Sequence, residues 1–161
     1  MLRALQTFLK SDAPTERQAA AALRTLFVLA FTGQTGLALI AWGALFMVFT
    51  PEPSASTLTA QVLVTMAGLE LPLTLALGTL SARSGEQAGA LSAALLQGIL
   101  LASPIWFALF AWLIGSPALY TFTLLGIVAL YYALGLLLVG RYAAQATVTG
   151  ARTTNRPDVK L

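Results

Sequence analysis

Residues 58–80 form an apolar run that carries a single charged side chain, Glu70, followed two positions later by Pro72. A helix needs about 20 predominantly apolar residues to cross the hydrocarbon core of a bilayer, and this run is long enough. A carboxylate near the middle of such a helix costs roughly 2–3 kcal/mol even on lenient insertion scales. The run therefore predicts a transmembrane helix in which Glu70 needs a physical explanation.

Three further apolar runs and the overall composition place the whole chain in the membrane class. Of its 161 residues, 58% are hydrophobic and only 9% are charged, whereas soluble domains carry about 25% charged residues. The sequence predicts an all-α fold, an integral membrane four-helix bundle that forms a single domain over residues 1–161. The predicted transmembrane helices cover residues 25–50, 58–80, 88–114 and 118–140.

A short amphipathic surface helix is predicted before the first span, within a cytoplasmic or interfacial segment at residues 1–23. Leu2, Leu5 and Leu9 lie at helical spacing with basic residues beside them, as is typical of a helix at a bilayer surface. A frayed terminus explains the same residues, and the sequence leaves both interpretations open. Asp12 is the predicted capping side chain of the helix that follows.

The basic residues predict the orientation of the bundle. All nine lysines and arginines lie in the N-terminal segment, in the loop at residues 81–87 or in the tail at residues 141–161, which fall on one side of the membrane. Cytoplasmic segments carry the excess of basic residues, so both termini are predicted to be cytoplasmic. The Ala-, Leu- and Gly-rich composition favours a bacterial inner membrane. The polar tail is predicted to be largely disordered.

The strongly polar side chains of the four spans are predicted to form one layer in the membrane. Counted from the cytoplasmic end of each span at 1.5 Å of rise per residue, they all lie roughly 15 Å deep. Polar groups are costly alone in hydrocarbon and become tolerable when they meet inside the bundle. The layer consists of Glu70 together with Gln34, Gln97, Tyr131 and Tyr132.

Two prolines are predicted to kink helices close to this layer, Pro72 in the second span and Pro104 in the third. A proline inside a helix removes one backbone donor and leaves the carbonyl four residues earlier without its usual partner. On the second span, small residues such as Ala67 and Gly78 share the face of Glu70, which predicts that the carboxyl points at a neighbouring helix.

Two interpretations of Glu70 remain open from the sequence. An intramembrane carboxylate is by default a proton or cation site, but a protonated carboxyl could equally hold helices together by bonding Gln34, Gln97 or a tyrosine. The chain has no histidine and no cysteine, which excludes thiolate nucleophiles and Ser–His pairs. No metal site, no cofactor and no nucleic-acid partner is predicted, and the chain is not expected to be an enzyme.

A short internal repeat is compatible with two tandem hairpins. Trp42-Gly-Ala-Leu-Phe46 in the first span recurs as Trp106-Phe-Ala-Leu-Phe110 in the third. Such repeats occur in transporter folds, but apolar helices also match by chance because they draw on few residue types. The sequence does not decide between duplication and chance.

The second span resembles the second helix of the proteolipid subunits that form rotor rings in rotary ATPases. The resemblance rests on Pro51-Glu52 in the preceding loop and on Met66-Ala67-Gly68-Leu69-Glu70-Leu71-Pro72. It implies a ring of identical subunits with Glu70 as the ion carrier. The chain departs from the family because its first span lacks closely spaced glycines, its fourth span lacks a carboxylate, and its charges place the Pro51-Glu52 loop outside.

The sequence therefore favours a small non-catalytic integral membrane subunit of a larger bioenergetic or transport complex. Its expected partners are the lipid bilayer and other membrane subunits. The alternative is a self-standing, homo-oligomeric ion or proton carrier, of which a rotor-ring subunit is one form.

Overall fold

The computed structural model describes Gln6, Phe8 and residues 15–53, 57–82 and 87–154. In these ranges every regular element is an α-helix and no strand is present. The helices are α1 (Glu16–Val48), α2 (Leu58–Ala82), α3 (Gln87–Ala102), α4 (Pro104–Leu113) and α5 (Ala118–Thr154). Because α3 and α4 form one span, these described ranges contain four helices long and apolar enough to cross a membrane. The predicted all-α four-helix membrane bundle is confirmed.

The first helix begins at a capping box. The Thr15 side chain accepts a hydrogen bond from the backbone N–H of Gln18 at 3.4 Å, and the Gln18 side chain accepts one from the backbone N–H of Thr15 at 3.0 Å. This reciprocal pair satisfies two of the free donors at a helix start. The prediction of Asp12 as the cap is wrong, because the helix begins after Thr15; Asp12 itself lies outside the described residues.

Two residues of the predicted surface helix are described. Gln6 is exposed, and Phe8 is fully buried in the same apolar cluster as Leu23 and Phe27 of α1. Phe8 therefore packs on the bundle. The leucines on which the surface helix was predicted lie outside the described residues.

The last helix is longer than predicted. α5 continues through Arg141 to Thr154, so the prediction of disorder is wrong for residues 141–154. This stretch contains no proline, and half of its residues are alanine, glutamine or arginine, which favour a helix. Residues 155–161 lie outside the described part of the chain.

Although α1 and α2 follow each other in the chain, they do not pack together as a hairpin. α1 packs mainly on α3 and α5, whereas α2 packs on α3, α4 and α5. The physical reason is the small-residue surface of α3, where Ala90, Ala93, Ala94 and Gly98 are all buried and let helices approach closely. The first of the two predicted tandem hairpins is therefore not a packed unit.

Two glycines set the distance of α1 from its neighbours. A Cβ on Gly98 of α3 would lie 2.6 Å from the Cβ of Ala30, and a Cβ on Gly135 of α5 would overlap the ring of Phe27. Both glycines are thus required by close contact. They hold α1 against α3 and α5, away from α2.

The bundle has two distinct ends and two apolar clusters. We call the end that holds Arg24, Ala82 and Arg141 the basic end, and the opposite end, where Pro51 and Pro117 line one cleft, the proline end. The larger cluster occupies mainly the half of the bundle next to the basic end. The smaller cluster lies in the half next to the proline end and contains buried Ala67, Ala108, Ala111 and Leu124.

Candidate functional site

Glu70 lies at the midpoint of α2 and is half-buried, with its carboxyl directed at the break in the third span. The Oε2 atom of Glu70 lies 2.6 Å from the hydroxyl oxygen of Ser103. Ser103 is the single residue between α3 and α4. Ser103 is not among the partners predicted for Glu70 from the sequence.

Pro104 creates the position that Ser103 occupies. A helical residue at this position would donate its N–H to the carbonyl of Leu100, and proline has no N–H to donate. That carbonyl instead accepts the backbone N–H of Ser103 at 3.1 Å and lies 2.6 Å from the Ser103 hydroxyl oxygen. The helix break therefore fixes a hydroxyl group beside the Glu70 carboxyl.

The Ser103 hydroxyl can bond Glu70 in either protonation state. A serine hydroxyl has one hydrogen to donate and lone pairs to accept with, whereas the Leu100 carbonyl can only accept. If Glu70 is protonated, it donates to Ser103, and Ser103 donates to Leu100. If Glu70 is ionised, Ser103 turns its hydrogen to the carboxylate. The oxygens of Glu70 and Ser103 are thus groups that can hold a proton or a cation.

The two adjacent tyrosines of the predicted layer face different helices. Tyr131 is buried, and its hydroxyl donates to the backbone carbonyl of Ala67 at 2.6 Å, one turn before Glu70 on α2. Tyr132 instead stacks against α1, with its ring centroid 6.1 Å from that of Phe27 and 5.1 Å from that of Phe31. Tyr131 therefore docks α5 beside Glu70, and Tyr132 belongs to the α1 interface.

Gln97 forms a second buried polar contact nearer the basic end. Its side chain is fully buried, and its Nε2 atom donates to the hydroxyl of Tyr142 at 2.6 Å. This pair lies against Gly78 of α2, about 12 Å along the helix from Glu70 at 1.5 Å per residue. Tyr142 was missed because it follows Arg141, beyond the predicted end of the fourth span.

Gln34 and Pro72 take no part in these contacts. Gln34 is half-buried on α1, the helix that does not pack on α2. Pro72 is exposed, and α2 continues through it as one helix, whereas Pro104 begins α4 after an actual break. The structure thus brings Glu70 and Tyr131 to the same part of α2 and places Gln97 with Tyr142 elsewhere.

The chain matches no protein-family model, no curated protein and no solved structure. The resemblance to rotor-ring proteolipids has no support from these comparisons, and the lack of packing between α1 and α2 departs from the compact hairpin that it implies. What the fold defines is a class: an all-α integral membrane protein of four spans. Within that class, this protein is characterised by one carboxyl group at mid-span, held at a proline break.

Proposed function

We propose that this protein is a small non-catalytic subunit of a larger membrane complex, in which Glu70 binds and releases a proton midway across the bilayer. The observation that carries the proposal is the 2.6 Å contact between Glu70 and Ser103 at the Pro104 break. Intramembrane carboxylates are expensive and are functional candidates by default. Interrupted helices at membrane depth also form the ion sites of many transporters.

A proton suits this site better than a purely structural hydrogen bond or a bound cation. A purely structural hydrogen bond needs only one protonation state, whereas the Ser103 hydroxyl offers Glu70 a bond in both. A bound cation would need several oxygen ligands in place of its hydration shell, and the described polar partner of the Glu70 side chain is the single Ser103 hydroxyl. The geometry therefore favours proton exchange.

The exposed surface of α1 supports the assignment to a complex. Gly33, Gly36 and Gly43 lie on one face of α1, and nothing lies within 4 Å of a Cβ built on any of them. Ile40 on the same face is 74% exposed. Small residues on a membrane helix allow another helix to approach closely, so this face suits a neighbouring subunit.

The same face also suits a second copy of the chain, which is the basis of the alternative function. In that case the protein would be a homo-oligomeric proton carrier that needs no other polypeptide. Native mass spectrometry of the protein extracted from its own membranes distinguishes a subunit of a larger complex from a homo-oligomeric carrier. Masses that include other polypeptides support the complex, and whole multiples of this chain support the carrier.

We also propose that both termini are cytoplasmic and that the membrane is a bacterial inner membrane. Arg24 and Arg141 lie at one end of the bundle, and both are exposed. Basic residues near span ends are retained on the cytoplasmic side. The proline end would then face outward.

The proposal is tested by labelling Glu70 with a membrane-permeant carbodiimide, which reacts only with a protonated carboxyl. Labelling should fall as pH rises, because the protonated fraction falls. Glu70→Gln keeps the size and a hydrogen-bond donor but cannot ionise. This variant should assemble normally and lose most of the proton movement of the host complex. Full proton movement in the Gln variant, with no labelling of the natural protein at any pH, would exclude the proposed role.

Ser103 gives this experiment a matched pair of variants. Ser103→Ala removes the hydroxyl beside Glu70, and Ser103→Thr keeps it. The pH profile of labelling should change in the alanine variant and stay close to that of the natural protein in the threonine variant. Identical profiles in both variants would contradict the role given to the hydroxyl.

A further inference from the structure

Gln97 carries a buried polar atom that its described neighbours leave without a partner. The side chain is 0% exposed, its Nε2 atom bonds Tyr142, and its Oε1 atom has no hydrogen-bond partner among the described residues. A buried acceptor left unpaired costs about 1–3 kcal/mol. Buried water commonly satisfies such groups. A water molecule bonded to this atom would remove that cost.

Gly78 lets this polar pair reach the backbone of α2. A Cβ at position 78 would lie 2.7 Å from the Nε2 atom of Gln97 and 2.7 Å from the Tyr142 hydroxyl oxygen. A side chain at this position would displace the pair. Because glycine has no side chain, the polar groups of Gln97 and Tyr142 line the contact between α2 and its neighbours. We call these groups the polar lining.

The polar lining continues along α2 in both directions from Gly78. Glu70, Thr74 and Gly78 are four residues apart and share one face, and Thr74 is only 1% exposed. At the level of Gly78, Tyr142 lies next to Arg141 on α5, and Arg141 is exposed at the basic end. Polar groups therefore lead from the basic end to the Glu70 carboxyl.

The same face of α2 is apolar between Glu70 and the proline end. Ala60 and Ala67 are fully buried there. Ala67 packs in the smaller cluster with Ala108, Ala111 and Leu124. The Tyr131 hydroxyl reaches this region and is bonded to the Ala67 carbonyl. Between Ala60 and Glu70, the described residues on this face of α2 that are buried or half-buried are all apolar.

We propose that Glu70 exchanges its proton with one side of the membrane only, through a hydrated passage from the basic end along Gly78 and Thr74. This inference rests on the proposed function and adds the route to it. α5 contributes the titratable groups Tyr131 and Tyr142 and the charged Arg141. From α3 and the α3–α4 break come Gln97 and Ser103, which do not titrate, and α1 does not pack on α2.

The passage is tested with two single-cysteine variants, because the natural chain contains no cysteine. Thr74→Cys and Ala67→Cys lie on one face of α2, both buried, on opposite sides of Glu70. A small, charged, membrane-impermeant thiol reagent attacks only a hydrated thiolate, so we expect Thr74→Cys to react about tenfold faster than Ala67→Cys. It should do so only when the reagent is added at the basic end. Equal rates, or faster reaction of Ala67→Cys, would overturn the passage.

A second substitution shows whether the reagent reaches position 74 along Gly78. In the Thr74→Cys background, Gly78→Leu should slow labelling to the rate of Ala67→Cys, because the new side chain fills the lining. Gly68→Leu is the matched control on the same helix, where nothing lies within 4 Å of the Cβ position, and it should leave the rate unchanged. An equal effect of both substitutions would contradict the proposed route.

The natural protein provides a measurement that needs no variant. In oriented proteoliposomes, the pH is changed on one side at a time, and carbodiimide labelling of Glu70 is followed. Labelling should follow the pH at the basic end and ignore the pH at the proline end. If it follows both sides equally, the one-sided route is wrong and proton binding by Glu70 stands. If Glu70 is not labelled at any pH, both the route and the proposed function fail.

Discussion

The half of the bundle next to the basic end and the half next to the proline end are built differently. In the basic half, Gly78 and Gly135 are contact positions where an added Cβ would meet a neighbouring side chain. In the proline half, Gly43, Gly68 and Gly126 have nothing within 4 Å of a Cβ position. The last buried residue of α1 falls well before its end at Val48. The close glycine contacts between helices therefore lie in the basic half.

This difference shows where the bundle obtains its stability. Lipid tails are as apolar as leucine, so membrane helices associate through close van der Waals fit and interhelical hydrogen bonds. The basic half has both, at the glycine contacts and at Gln97–Tyr142. The proline half leaves apolar side chains for lipid or for another subunit. Glu70 lies at the boundary, where the tightly packed half ends.

The largest expected effect comes from filling a glycine contact. Gly135→Leu forces a side chain into the ring of Phe27 and should destabilise the bundle by about 1–3 kcal/mol, as overpacking usually does. Gly126→Leu on the same helix enters open space and should change stability by less than about 0.5 kcal/mol. Thermal unfolding in detergent measures both. Equal losses would mean that the two halves are packed alike.

At the Gln97–Tyr142 pair, a loss of stability of similar size is expected for the substitution of Tyr142 and a smaller loss for that of Gln97. Tyr142→Phe leaves both ends of a buried amide without a protein partner and should cost about 1–3 kcal/mol. Gln97→Leu removes that amide together with its unpaired oxygen, so it should cost less than about 1 kcal/mol. The same unfolding measurement ranks them. A larger loss for Gln97→Leu would show that the amide oxygen is better satisfied than the contacts indicate.

The smallest effect is expected from a glutamine at the proline end. Gln61 is exposed, and its Nε2 atom donates to the hydroxyl of Tyr120 at 3.3 Å. Gln61→Leu should change stability by less than about 0.5 kcal/mol, because neither partner depends on the bond for burial. It is also a matched control for Gln97→Leu, since the substitution is identical. A substantial loss would indicate that this pair organises the proline end.

Local features of the sequence predicted the fold class and the positions of the spans. Hydropathy is a sum over neighbouring residues, so an apolar run such as residues 58–80 identifies its own helix, observed at Leu58–Ala82. Local chemistry also identified Glu70, because a carboxylate in the middle of a membrane span carries a large free-energy cost. Two local signals were overlooked. The Thr15-x-x-Gln18 pattern is a capping box, and the Ser-Pro dipeptide favours turn initiation, which adds Ser103 to the kink predicted at Pro104.

Only the tertiary structure decided which side chains meet. Helical periodicity gives the depth of a residue and the face that it shares, but neither the rotation of that helix nor the identity of its neighbours. Gln97 and Glu70 have similar predicted depths, yet one bonds Tyr142 and the other Ser103. The partner that each side chain meets depends on where the helices approach most closely, at Gly78, Gly98 and Gly135. Such approaches depend on pairs of surfaces far apart in the chain, which no single stretch of sequence encodes.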